Sequence, residues 1–182
     1  MTSEFRGPSP AEMGITLESP QAEQEQTEAS KLREAFLRSS FLVVEDDPRV
    51  GGGLVTDLRA QRGEDSEHED AGVVLVQNLE DCQNTVEGWF SPSGPTKVVV
   101  ILDMQFPKRR DSRNIDPNSG RDALGTIKNR VATWNSEHPD HQIDVKIIIN
   151  STTVNNEQQT QEMGVDGFSK NKDEAVSAVV ES

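Results

Sequence analysis

The chain has 182 residues, 32% of them apolar, and a formal net charge of −14. That length suits one domain of ordinary size with an appendage, and the low apolar share leaves part of the chain without a core of its own. The charge disfavours a nucleic-acid backbone or an anionic membrane surface as the main partner, and it favours cation binding.

Residues 1 to about 30 are rich in Pro, Ser, Glu and Gln and read as a disordered tail. The stretch 22–39 carries a weak helical stripe (Leu32, Ala35, Phe36, Leu37) that packs either on the domain or on a partner. Residues 1–38 are therefore expected to be disordered or partly helical, ahead of a domain at 39–182. The start, MTSEFRGPSP, lacks the apolar core of a signal peptide. No segment reaches the roughly 18 consecutive apolar residues of a membrane helix, so a cytoplasmic location is expected.

From Phe41 onward short apolar runs recur: FLVV at 41–44, VVLV at 73–76, VVVIL at 98–102 and KIIIN at 146–150. Each is continuous rather than alternating, the mark of a strand buried on both faces. Helix-forming segments follow them at 49–61, 79–89, 120–133 and 155–163. A fifth strand is expected at 165–169 and a last helix at 172–180, while the acidic stretch 61–72 reads as exposed loop. Strict alternation predicts a doubly wound α/β domain, a five-stranded parallel sheet with helices on both faces. In such sheets the ligand site lies beyond the carboxyl ends of the strands.

Those ends carry the chemistry. The first strand delivers Glu45 and Asp46, with Asp47 next, where Asp47 and Pro48 also suit the start of a helix. The third delivers Asp103, the fourth Ser151 and the fifth Lys170. If the first, third and fourth strands are neighbours, these groups share one crevice. Clustered carboxylates without a soft ligand suit a hard cation, Mg²⁺ above all. A carboxylate beside it can also act as a nucleophile towards phosphorus.

In this order (acid pair, D-x-x-x-P, hydroxyl, Lys) the residues resemble the receiver domain of two-component response regulators. FLVVEDDP resembles that family's first strand and acid pair, LDMQFP its phosphorylation strand, NSTT its switch hydroxyl and MGVDGFSK its last strand. The resemblance covers about residues 40–182 and implies a flavodoxin-like strand order of 2-1-3-4-5. It also implies that Asp103 accepts a phosphoryl group from a sensor histidine kinase or a histidine phosphotransfer protein. Mg²⁺ would be held by Asp46, Glu45, Asp103 and the main-chain carbonyl of Gln105. Ser151 and Phe168 would form the switch, and Lys170 would pair with the phosphoryl group. The chain would then signal by binding a downstream protein target, promoting its own phosphorylation and dephosphorylation rather than turning over a substrate as a conventional enzyme does.

The pattern also departs from the family. The family's lysine stands three residues after the aromatic, whereas Lys170 is two after Phe168, which leaves Lys172 as an alternative. The loop KRRDSRNIDPNS separates Pro107 from the Gly120 that opens the next helix. Its Lys108, Arg109, Arg110 and Arg113 suit an acidic partner or a screen over the pocket, but a long loop more often reads as solvated and mobile.

These departures favour a second reading, a pseudo-receiver that binds proteins without being phosphorylated. A third, a Mg²⁺-dependent phosphohydrolase with an aspartyl nucleophile, calls for a second acid where Gln105 stands. Three other features carry less. Cys82 alone cannot make an internal disulfide, GGGLVTD is no phosphate-binding loop, and His138 with His141 lacks the further ligands of a metal site. Trp89 and Trp134 read as packing anchors at helix ends.

Overall fold

The computed structural model describes residues 30, 31, 33–63, 72–151 and 161–180. The tail before residue 30, residues 64–71 of the acidic stretch 61–72, and residues 155–160 of the helix expected at 155–163 lie outside the described residues. Among the described residues five strands form one parallel sheet, in the order β2-β1-β3-β6-β7. They are β1 (Ser40–Val44), β2 (Val73–Val76), β3 (Lys97–Leu102), β6 (Asp144–Asn150) and β7 (Gly167–Ser169). This is the flavodoxin-like α/β order implied by the sequence, with β6 and β7 as the fourth and fifth strands of the sheet.

Alternate residues of the central strands feed two separate cores. Leu42, Val44, Val98, Val100, Leu102, Ile147 and Ile149 point to one face. There they meet helix α2 (Leu79–Trp89) and helix α3 (Ser119–Glu137) through Cys82, Val86, Trp89, Ala123, Leu124 and Ile127. Phe41, Val43, Val99, Ile101 and Ile148 point to the other. That face is covered by Leu54 and Leu58 of helix α1 (Pro48–Arg62) and by Ala175, Val176 and Val179 of helix α4 (Lys172–Val180). Both faces of the central strands being dry, their buried middle positions are apolar, which is why the runs are continuous. Phe36, in the helical stretch 33–38, joins the second core and packs on Phe41 at 5.1 Å between ring centroids. Phe36 and Leu37 of the stripe expected in this stretch therefore pack on the domain itself, while Leu32 lies outside the described residues.

Helix starts follow local chemistry. Asp47 accepts the Arg49 N–H at 2.8 Å and Pro48 opens α1. Asn78 accepts the Asp81 N–H at 2.8 Å to cap α2. Cys82 is a small hydrophobe of the first core, and burial pushes its thiol up to about 12. His138 stacks on Trp134 at 3.7 Å, while His141 reaches the Pro92 carbonyl, so neither is placed as a metal ligand.

The long loop after Pro107 is a structured hairpin rather than a solvated strap. Phe106–Pro107 (β4) pairs antiparallel with Ile115–Asp116 (β5). Ser119, fully buried, fastens the base: its hydroxyl accepts the Phe106 N–H and donates to the Asp116 carbonyl, both at 2.9 Å. Gly120 then seats the start of α3 against the end of β3, its N–H donating to the Met104 carbonyl at 3.2 Å. A Cβ there would fall 2.4 Å from Met104 Cα and 2.7 Å from the Asp103 carbonyl oxygen. Only glycine fits so close a backbone approach. A Gly120→Ala substitution should therefore cost about 1–3 kcal/mol, the usual effect of overpacking. Urea unfolding would read it as a lower midpoint at unchanged slope, and an unmoved midpoint would mean that this junction is looser than described.

Candidate metal and phosphoacceptor site

Backbone register builds the site. In the β1–β3 ladder Val44 pairs with Leu102, and one step further the Asp103 N–H donates to the Val44 carbonyl at 2.9 Å. On the other side of β1, the Glu45 N–H donates to the Val76 carbonyl at 3.0 Å. The two acids therefore leave adjacent strands at the same level. Gly51 lets α1 pass close by, since a Cβ there would lie 3.3 Å from the Glu45 side chain and 2.6 Å from Leu75.

Carboxylate oxygens of Glu45, Asp46 and Asp103 come within 4.8 Å of one another, and no other group of metal-ligating side chains of this kind occurs among the described residues. Glu45 is buried and the two aspartates are half-buried. Burial, opposed by a hydrogen bond from the Asp47 N–H (3.2 Å) and reinforced by Asp103, Asp46 and Asp47, pushes Glu45 up to about 7. Burial also raises Asp46, with Asp47 adding repulsion.

Asp103 is raised by burial and by Asp46, against the hydrogen bonds it accepts from the Met104 and Gln105 N–H groups and the Ser151 hydroxyl. The Met104 bond is 2.5 Å. Three oxygen ligands, all hard and all held above their ordinary pKa, fit a hard divalent cation. Such an ion would relieve the repulsion that otherwise keeps protons on the cluster.

Ser151 follows β6, is buried, and anchors its own N–H on the Ser169 carbonyl at 3.2 Å. Its hydroxyl bonds Asp103. The fold thus brings Glu45, Asp46, Asp103 and Ser151 together, with Gln105 beside Asp103 through its backbone N–H. Phe168 lies half-buried against the first core.

Lys170 does not join the group. Its side chain is exposed, and no ion pair ties it to the three acids among the described residues. Lys170 stands one residue past the end of β7, whose last residue, Ser169, is fully buried. The Lys170 N–H is then taken by the Glu174 carboxylate at 2.9 Å, while Asn171 accepts the Glu174 N–H at 3.0 Å. These bonds fix the entry to α4 one residue after the lysine. Lys172 is the first residue of that helix, and its side chain lies outside the described set.

The sequence reading missed a further wall. The hairpin loop lies against the start of α2, where Arg110 grips Asp81 through two nitrogens, at 2.6 and 3.2 Å. Lys108 pairs with Asp116 at 3.3 Å and Asp122 at 3.5 Å. Asp81 is held below its ordinary value by Arg110 and Asn78. Between loop and sheet runs a cleft of about 450 Å³ lined by Asp46, Gln77, Asn78, Asp81, Arg109 and Arg113, among others. The available signal was the turn chemistry of DPNSG, which carries the chain from β5 into α3.

No protein-family model matches this sequence, and no curated protein matches it at a significant level. Among solved structures it is similar to the signal receiver domain of a protein assigned as a Luxo repressor from Vibrio parahaemolyticus. That likeness has 20% identity, covers 79% of this chain and 91% of the other, and has a TM-score of 0.43. It is also similar to a monomethylamine corrinoid protein from Methanosarcina barkeri, with 15% identity, 88% and 67% coverage and a TM-score of 0.43. A cobalamin-binding protein from Desulfitobacterium hafniense matches at 18% identity and a TM-score of 0.35, with this chain spanning 57% of its length. No helix among the described residues is long and apolar enough to cross a membrane.

Glu45 makes the pH dependence of the cation-free protein testable. Its folded value, about 7, lies above its ordinary 4.5. Between those values the folded state keeps a proton that the unfolded chain releases, so stability falls as pH rises through that window. Asp46 and Asp103 shift in the same direction. In a chelator, Tm should drop between about pH 5 and about pH 8, and Glu45→Gln should flatten the drop. A Tm that climbs over that interval, or a slope unchanged in Glu45→Gln, would contradict the geometry.

Proposed function

We propose that this chain is a receiver-type phosphoacceptor that takes a phosphoryl group on Asp103 and signals by a change of conformation and of protein partners. The observation that carries the reading is the joint placement of the Glu45 and Asp46 carboxylates and the Ser151 hydroxyl around Asp103. Asp46, Glu45 and Asp103 would hold Mg²⁺, with the Gln105 carbonyl as a further ligand. Bound there, the ion would neutralise charge on the phosphoryl oxygens and keep the acids ionised.

The donor would be a phosphohistidine of a sensor kinase or a phosphotransfer protein. An ionised Asp103 oxygen attacks phosphorus, the new O–P bond forms as the P–N bond breaks, and the electron pair leaves on the imidazole nitrogen. Met104 and Gln105 N–H groups orient the Asp103 carboxylate. Ser151, already bonded to that carboxylate, is within reach to donate to the phosphoryl oxygen once it arrives. The phosphorylated form then shifts the population towards the signalling conformation, with Phe168 as the aromatic that repacks.

A second reading, the pseudo-receiver, draws support from one feature. Lys170 is exposed and apart from Asp103, so the ammonium that would pair with a phosphoryl group is out of place. Constitutive protein binding would then carry the signal.

Intact mass after incubation with Mg²⁺ and acetyl phosphate or phosphoramidate separates the two. The expected result is a Mg²⁺-dependent gain of one phosphoryl group in wild type and none in Asp103→Asn. A gain that persists in Asp103→Asn would move the acceptor elsewhere, and no gain with either donor would favour the pseudo-receiver. In parallel, Mg²⁺ at a hundredfold excess over its Kd should stabilise wild type by about 2.7 kcal/mol. Asp46→Ala should lose most of that gain, and an equal gain in both proteins would remove Asp46 from the ligand set.

A further inference from the structure

The second core is apolar up to its rim, where it meets two polar side chains. Asn150, the last residue of β6, and Ser169, the last of β7, are register partners in the parallel sheet. Ile148, two residues before Asn150, belongs to that core, and Phe168 packs on the other one. By alternation along both strands, the Asn150 and Ser169 side chains therefore share the face of the second core. Asn150 is 7% exposed and Ser169 is fully buried. The Ser169 hydroxyl donates to Asn150 Oδ1 at 3.1 Å, with the Ile149 carbonyl at 3.4 Å as its alternative acceptor.

Main-chain pairing already joins β6 to β7, so the fold does not need this bond to bring the strands together. Asn78 caps a helix and Ser119 fastens the hairpin, but the Asn150–Ser169 pair serves no such end. Replacing both partners of a buried hydrogen bond by apolar groups of similar shape is ordinarily close to neutral for stability. What the pair does adjoin is the acceptor site. Ser151 follows Asn150 directly, its N–H donates to the Ser169 carbonyl at 3.2 Å, and its hydroxyl bonds Asp103. A satisfied buried polar pair rigidifies the place where it sits, and here that place is the point at which Ser151 leaves the sheet.

We propose that Asn150 and Ser169 are positioning residues: the bond between them holds the end of β7 against β6 and, through the Ser169 carbonyl, keeps the Ser151 hydroxyl directed at Asp103. The inference rests on the phosphoacceptor reading and adds to it two residues that never touch the phosphoryl group. Placement matters because the hydroxyl must meet a phosphoryl oxygen in the transition state, and a misplacement of about 1 Å can cost on the order of 100-fold in rate.

Intact mass follows the rate of phosphoryl gain in the full chain, with acetyl phosphate or phosphoramidate at saturation and Mg²⁺ varied. Wild type is compared with Ser151→Ala, with the pair variant Asn150→Leu/Ser169→Ala, and with the variant that combines all three substitutions. The pair variant removes both polar partners, so neither stays buried without the other. Its saturating rate should fall at least ~10-fold. The Mg²⁺ concentration for half the effect should stay within about twofold, because Glu45, Asp46 and Asp103 follow β1 and β3 and lie apart from the pair. The combined variant should be no slower than Ser151→Ala, since the pair acts through that hydroxyl. Ser169→Ala alone repeats the comparison with one hydroxyl removed.

An unchanged rate in the pair variant overturns this inference and leaves the phosphoacceptor reading standing. A combined variant slower than Ser151→Ala does the same, because the pair would then act by another route. So does a loss of Mg²⁺ affinity in step with the rate, which would mark general loosening of the site. Failure of both the pair variant and Ser169→Ala to fold, read by circular dichroism, would mark a structural role and also overturn it. A wild type that gains no phosphoryl group from either donor overturns the phosphoacceptor reading, and this inference with it.

Discussion

One hydrogen bond sets the chemistry of this molecule: the Asp103 N–H to the Val44 carbonyl at 2.9 Å. It extends the parallel ladder of β1 and β3 by a single step past the last apolar pair. Parallel strands in register end at the same level, so whatever residue each strand delivers next must face its neighbour. Here both deliver acids. The repulsion between them is a consequence of the ladder, and the dry sheet beneath prevents either strand from sliding to relieve it. A slip of one residue would turn every buried side chain of the strand to the opposite face. The two hydrophobic cores thus hold the charges together, and burial first, with the neighbouring acids adding to it, raises Glu45 and Asp103.

Much of this was legible in the sequence because burial on both faces leaves so strong a pattern. FLVV, VVLV and VVVIL became β1, β2 and β3 within a residue of their expected ends. The acid cluster followed from the rule that such sheets present their sites at the carboxyl ends. Where the sequence was less informative, the deciding contact lies far along the chain. Nothing local in Ser119 says that its hydroxyl will take the Phe106 N–H across 13 positions. The fifth strand shrank from an expected 165–169 to Gly167–Ser169: the Asp166 N–H still donates to the Ile147 carbonyl at 2.9 Å, but the Ile147 N–H goes to the Asp166 carboxylate at 2.7 Å rather than to a main-chain carbonyl. The outward turn of Lys170 follows from that short strand and from the Asn171–Glu174 entry to α4. Both were visible as residues and neither as geometry.

The basic residues of the hairpin show why composition alone misleads about loops. Four cations among polar residues look like solvated surface. Three acids on three elements convert half of them into fasteners: Asp81 on α2, Asp116 on β5 and Asp122 on α3. Exposed pairs of this kind contribute little stability singly. Their effect here is positional, since together they choose one placement for a segment that its own propensity leaves open. The remaining two arginines inherit that placement and face the cleft.

The hairpin base also separates what is fixed from what is free to vary. Ser119 and Gly120 tie the returning chain to Phe106 and Met104 whatever lies between Pro107 and Ile115. Lengthening a flexible loop costs only about 0.6 kcal/mol per doubling once its ends are pinned. The acid cluster is therefore mechanically insulated from the tip of the insertion. Descendants of this chain could exchange the tip for one of different length or charge and keep the carboxylates untouched. The loop is in this sense a replaceable visor, a place where length and charge can drift without the geometry of the three carboxylates having to move.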